Sequence, residues 1–316
     1  MIPGATQSSY TLTGSDAGKT ITVTVTGIKP GYAPTSQTSR ATGKVAVGTF
    51  QTVVPTITGT VQVGRTLTAT APGWLPTPDR WSYQWYRNSG VIPGATQSGY
   101  TLSGSDAGKA ITVTVTGIKA GYEPTSRTSM PTSKVALGTF QTVVPTVTGT
   151  VQVGRTLTAT APGWLPTPDR WSYQWYRDSK PISHASKPSY TLVGSDAGKT
   201  ITVRMAGVKT GYAAAARTSA KTTPVARGEF TAPVPTITGT PRPGHNLKVV
   251  VSGWSPTPSE VHRQWYRDGK RIPKATKTTY RLKKFDIGHN ISVRVIGEKS
   301  GYTSLTRMSL AVRITK

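Results

Sequence analysis

The stretch IPGATQSSYTLTGSDAGKTITVTVTG, residues 2–27, decides how the chain reads. Its end, ITVTVTG, sets Ile21, Val23 and Val25 against Thr20, Thr22 and Thr24. That period of two is the signature of a strand with one buried and one wet face. Valine and threonine suit it because a branched side chain packs well on a pleated surface. A near-identical copy begins at Ile92, and weaker copies begin at Ile182 and Ile272, a spacing of 90 residues each time. Such a period exceeds the roughly 20–50 residues of solenoid units and suits a small domain with its own core. The chain therefore divides into residues 1–46, the second half of a repeat, and full repeats at 47–136, 137–226 and 227–316.

The rest of each repeat also reads as strands. RTLTATA alternates Leu67, Ala69 and Ala71 with Thr66, Thr68 and Thr70, and YTL puts Tyr100 and Leu102 opposite Thr101. WSYQWYR places Trp81, Tyr83 and Trp85 together, opposite Ser82, Gln84 and Tyr86. Between the runs sit APGW, LPTPDR, RNSG, GSDAG and KAGY, where Pro and Gly preset the angles of chain reversal. No segment keeps a helical period. Several short strands at even spacing predict an all-β chain of β-sandwiches.

The run YQWYRDSKPI, RQWYRDGKRI in the last repeat, resembles the third strand of an immunoglobulin-like (Ig-like) domain and its following turn. YTLxGSDAGKxITV resembles the Asp-x-Gly corner that leads into the sixth strand. The whole set is similar to the Ig-like repeats of secreted and surface proteins of actinobacteria. The resemblance implies tandem Ig-like β-sandwich domains in a beads-on-a-string rod. It implies that Trp85, Trp175 and Trp265 sit in the cores. It also implies that Asp16, Asp106, Asp196 and Asp286 cap backbone amides at the corners. Two departures stand out. The paired cysteines of antibody-type domains are absent, so small apolar residues such as Ala69 and Val113 should meet instead. The tyrosine usual after the corner is replaced by Thr20, Ala110, Thr200 and Asn290.

Half a sandwich cannot offset an ordering entropy of about 1–2 kcal/mol per residue. The expectation is therefore that the native molecule continues upstream of Met1, with further domains there. Residues 45–87 and 135–177 differ only at Val47/Leu137 and Ile57/Val147, which points to recent duplication and to reach as the variable property. Phe50, Phe140 and Phe230 fall at matching positions in the joints. Each either plugs against the next domain or covers the edge of its own.

With no cysteine, any disulfide scaffold is excluded. No stretch approaches the ~20 apolar residues of a membrane span, so membrane insertion is not expected. The net charge of +26 climbs along the chain. Residues 1–46 hold 4 basic and 1 acidic residue (+3), and the three repeats hold 7 and 3 (+4), 10 and 3 (+7), and 17 and 5 (+12). Such a field attracts polyanions.

Little in the sequence points to catalysis. Only 12 acids exist, four of them corner aspartates, and Asp79, Asp169, Asp178 and Asp268 sit in turns where Asp favours its own backbone. His184, His245, His262 and His289 occupy different repeat positions, with no metal-ligand spacing. No nucleophile elbow, phosphate loop or acid-rich calcium site is apparent. No enzyme, metal or cofactor is implied.

What stands out is KRIPKATKTTYRLKKFD, residues 270–286, against GVIPGATQSGYTLSGSD in the second repeat. Lys270, Arg271, Lys274, Lys277, Arg281, Lys283 and Lys284 put seven cations into fifteen residues. They predict one charged hairpin surface that grips polyanion backbones by releasing counterions. Partners of that kind are an anionic cell-wall polymer or polysaccharide, and nucleic acid only non-specifically. A second candidate is aromatic: Trp74, its repeat copy Trp164, and Tyr86 on the outward face could stack on sugar rings, the other reading being an edge plug. The expected function is a non-enzymatic extracellular stalk, secreted or at the cell surface, with its basic last repeat on the anionic envelope. The alternatives are an adhesin or carbohydrate-binding array, and the tail of a secreted hydrolase.

Overall fold

The alternating runs become strands throughout the chain, and the computed structural model describes all of residues 1–316. Met1–Phe140 with Lys209–Ala213 form one compact unit, and Gln141–Val208 with Ala214–Lys316 form a second. In the first, β1 (Thr24–Gly27) pairs antiparallel with β2 (Thr35–Thr38), and no second sheet is built from residues 1–46. Then come β3 (Thr56–Thr58), β4 (Thr66–Thr70), β5 (Arg80–Arg87), β6 (Gly90–Val91), β7 (Gly99–Thr101), β8 (Ile111–Ile118) and β9 (Thr125–Thr128). They make two sheets, β3-β4-β7 and β6-β5-β8-β9. This is the strand order of an Ig-like sandwich.

The inward residues are those the alternation selects. Leu67 and Ala69 on β4 and Trp85, Ile111, Val113 and Val115 on β5 and β8 share one buried cluster with Ile92 and Leu102. Fully burying each large side chain contributes about 1.5–3 kcal/mol. The Trp85 indole keeps its Nε1 partnered by donating to the carbonyl of Gln97 at 2.9 Å. Ala69 and Val113 both lie in that cluster, where a disulfide would stand in antibody-type domains. On the wet face the threonines pair hydroxyl to hydroxyl across strands: Thr56 with Thr70, Thr66 with Thr101 and Thr114 with Thr128, at 2.8–2.9 Å.

The second unit repeats this plan twice. Its first sandwich uses β10 (Thr146–Thr148), β11 (Thr156–Thr160), β12 (Arg170–Arg177), β13 (Lys180–Pro181), β14 (Ser189–Thr191), β15 (Ile201–Val208) and β16 (Ala215–Thr218). Its second uses β17 (Thr236–Thr238), β18 (Asn246–Val250), β19 (Glu260–Arg267), β20 (Lys270–Arg271), β21 (Thr279–Arg281), β22 (Asn290–Glu298), β23 (Leu305–Met308) and β24 (Val312–Arg313). Here the sheets are β17-β18-β21 and β20-β19-β22-β23, with β24 also on β22. Leu247, Val249, Trp265, Leu282, Ile291, Val293 and Val295 fill the space between them. No helix is long and apolar enough to cross a membrane.

Within each unit, the corner of one repeat meets a turn of another at backbone level. A Cβ at Gly194 would lie 2.3 Å from the carbonyl oxygen of Ser300, and one at Gly14 would lie 2.0 Å from that of Ala120. The joint aromatic is a tyrosine: the Tyr302 hydroxyl reaches the backbone of Gly154. Phe230 instead packs on Trp254 and Tyr302 of its own repeat, with ring centroids 5.5 and 5.3 Å away. Phe50 does the same with Trp74 and Tyr122. These two phenylalanines therefore cover their own repeats. Of the two readings open for the joint, theirs is the local one.

Candidate functional site

Each Asp-x-Gly corner is a single 3-10 turn whose aspartate turns inward. Asp106 is fully buried. Its Oδ2 accepts from the Ser103 amide at 2.6 Å and from the Ser103 and Tyr100 hydroxyls at 2.8 Å. Its Oδ1 accepts from Arg87 Nε at 2.6 Å. Asp196 is held in the same way by Val193, Tyr190 and Arg177, and Asp286 by Lys283, Tyr280 and Arg267. Burial alone would raise the Asp106 pKa, but Arg87, Ser103 and Tyr100 outweigh it and hold the carboxyl below its ordinary range. The tyrosine pays the opposite way: burial, then the bond to Asp196, pushes Tyr190 up to about 12. Asp16 has its Thr13 amide and Tyr10 hydroxyl, which lower its pKa, and no arginine. The amide caps were legible in the sequence. The arginine, nineteen residues away on the third strand, was not.

All seven cations of the basic run are exposed, and none makes an ion pair. They do not form a hairpin. Lys270 and Arg271 lie on β20, paired with β19, whereas Arg281 lies on β21 in the other sheet, opposite Asn246. The segment between them wraps Trp265 and so hands the chain across. The Trp265 amide donates to the carbonyl of Ala275, and its indole donates to that of Lys277. Lys274 takes a left-handed φ of 60° in this wrap. The alternation on β21 is as read, with Tyr280 and Leu282 buried and Arg281 and Lys283 outward. Nearby acids are already engaged, Asp286 by Arg267 and Asp268 by His289. The patch is thus a two-sheet edge with free positive charge.

The aromatic candidate is corrected. Trp74 and Trp164 are each only 2% exposed, and their indoles donate to the carbonyls of Val53 and Val143 at 2.9 and 2.8 Å. The cause is a glycine on the sixth strand: a Cβ at Gly117 would come 2.7 Å from the Trp74 ring, so the ring occupies the space that any side chain there would need. Trp164 forms part of the wall of an apolar cavity of about 570 Å³ with Trp171, Tyr173 and Met205. Tyr86 is half-buried on the outward face.

Linear spacing missed one further cluster. Glu260 and His262 stand two residues apart on β19, and register brings Glu298 of β22 opposite Glu260. Their ligand atoms lie within 4.8 Å of one another, with His262 Nε2 at 3.5 and 3.7 Å from the two carboxylates. All three are solvent-accessible. Cross-strand pairing is the signal that would have found them.

The strand order, paired sheets and corner geometry define a tandem series of Ig-like β-sandwich modules. No protein family and no curated protein matches the chain. Solved structures similar to it include three N-terminal domains of the highly immunogenic outer capsid protein (Hoc) of bacteriophage RB49. That match has 16% identity over 83% of this chain and 99% of that one, with a TM-score of 0.25. An ectodomain fragment of ICAM-5 is similar at 12% identity over 93% and 83%, with a TM-score of 0.31. A Ca2+-stabilized ice-binding adhesin of an Antarctic bacterium is similar at 12% identity over 93% and 81%, with a TM-score of 0.27.

Proposed function

We propose that this chain is a non-enzymatic extracellular array of Ig-like modules whose last repeat associates with anionic polymer of the cell envelope. The modules would be 47–136, 137–226 and 227–316, with 1–46 as the second half of another. The observation that carries the reading is the set of seven exposed, unpaired cations on one edge of the last repeat. Unpaired cations gain by displacing the counterions of a polyanion without reading its sequence. The climb of net charge toward that repeat supports the same placement.

The test is retention of the full chain on anionic cell-wall material across a salt series. If all seven cations engage, affinity should fall by about three to four decades between about 50 and 200 mM salt. Returning the seven positions to the residues of the second repeat (K270G, R271V, K274G, K277Q, R281T, K283S, K284G) should flatten that dependence. Retention unchanged by the reversion would overturn the anchoring role.

A further inference from the structure

The last repeat differs from its neighbours in a second way, independent of the lysines. At three positions that converge on one cavity it carries arginine: Arg263, Arg271 and Arg294 stand where the second repeat has Tyr83, Val91 and Thr114 and the third has Tyr173, Pro181 and Arg204, so that Arg263 and Arg271 are particular to it. Trp81 is replaced by Val261. In the second repeat that indole fills space against Trp74, ring centroids 5.0 Å apart. The arginines line a cavity of about 470 Å³ bounded also by Val261, His262, Gln264 and Thr276. The three guanidiniums come from three strands or strand edges, since β19, β20 and β22 are neighbours in one sheet.

None of the three makes an ion pair. Arg263 has only its Nη1 bonded, to the carbonyl of Val261 at 3.1 Å, and its Nε is buried with no partner. Arg271 donates through Nε to Gln264 Oε1 at 2.7 Å, which leaves its remaining N–H groups free and fixes its plane. Arg294 lies over the Tyr266 ring at 5.7 Å, an arrangement that holds the guanidinium without using its donors. A buried N–H with no acceptor is costly unless a ligand supplies one. That buried N–H is on Arg263 alone; Arg271 and Arg294 are exposed at the rim, and the walls hold no carboxylate, Glu260 and Glu298 standing outside them, on His262.

We propose that this cavity is a binding site for a single oxyanion, a carboxylate or phosphate carried on a ligand of about one sugar ring. The planar fork of arginine matches both groups in a bidentate manner, which lysine cannot do. The volume lies within the range of small-molecule sites, roughly 300–1,000 Å³. The site is distinct from the lysine edge, with which it shares only Arg271. It recognises a monomer, whereas the edge depends on the charge density of a polymer. It does not rest on the cell-envelope reading.

Calorimetric titration of the full chain with sodium phosphate, glucuronate and uncharged glucose tests the site. The expected result is one saturable site per chain for at least one of the anions and none for glucose. Arg294→Thr and Arg263→Tyr should each weaken that binding about tenfold or more. Both place the second repeat's own residue in the same sandwich, so folding is preserved. Reverting only the lysines (K270G, K274G, K277Q, K283S, K284G) should leave binding within about twofold while abolishing polymer retention. No saturable anion binding, binding unmoved by both arginine variants, or equal loss in the lysine variant would each overturn the proposal.

Discussion

The heptapeptide ITVTVTG occurs twice, at residues 21–27 and 111–117, and its two copies live in different surroundings. In the second, Val113 and Val115 are 0% exposed; in the first, Val23 and Val25 are 54% and 65% exposed. The strand is also shorter in the first copy, beginning only at Thr24, where β2 pairs with it. Alternation thus specifies which face is to be covered. The covering comes from the facing sheet, β3-β4-β7, to which residues 1–46 build no counterpart, and the lateral neighbour β5 has none there either. The corner shows the same contrast: Asp16 keeps its tyrosine and amide, but the third-strand arginine that completes Asp106 has no equivalent there.

The sharpest way to break this comparison is to make the same change in both copies. Val113→Asp buries an unpaired charge and should cost more than about 4 kcal/mol. Val23→Asp should change stability by no more than about 0.5 kcal/mol. Hydrogen exchange, read separately over 111–118 and 21–27, distinguishes them, and equal effects would sink the contrast.

Next in size is the corner. Asp106→Ala strands Arg87 and should destabilise the second repeat by about 3–5 kcal/mol, with no comparable loss in Asp16→Ala. Denaturant midpoints of the two variants are the measurement. Smaller again, Gly117→Ala drives a methyl into Trp74 and should cost about 1–3 kcal/mol. At Gly27 the nearest atom to a Cβ is 3.9 Å away, so Gly27→Ala should be silent in the same assay.

The mildest test is pH. Asp106 has a lowered folded-state pKa, so its contribution is present above the unfolded-state value of 3.8 and is lost as pH falls through the lower, folded-state value. Tyr190 runs the other way: its contribution is full below 10.0 and is lost as pH rises toward about 12. Acid and alkaline unfolding curves should show these two flanks, and Asp106→Asn should soften the acid one.

Much of the fold was legible because period-two alternation survives in every repeat, and Trp85, Leu67 and Val113 had only one face to occupy. The amide caps followed from the resemblance of the Asp-x-Gly corner to that of Ig-like domains. What escaped depends on contacts that sequence distance hides. Arg87 reaches Asp106 only once the third strand has passed beneath the corner. Whether Lys270 and Arg281 share a hairpin depends on which sheet each strand joins, and the wrap around Trp265 separates them. Trp74 looked available because the glycine that receives it lies 43 residues downstream. The Glu260, His262 and Glu298 cluster and the three-arginine cavity both arise from cross-strand register.

Gly194 touches Ser300 through main-chain atoms, with no room for a side chain at the glycine, and Gly14 meets Ala120 likewise. Such a seam asks for a glycine at the corner, which Gly14, Gly104 and Gly194 supply, and places little other demand on the residues around it. Recombination between near-identical stretches can therefore add or delete a copy, and each new neighbour finds a seat already shaped for it.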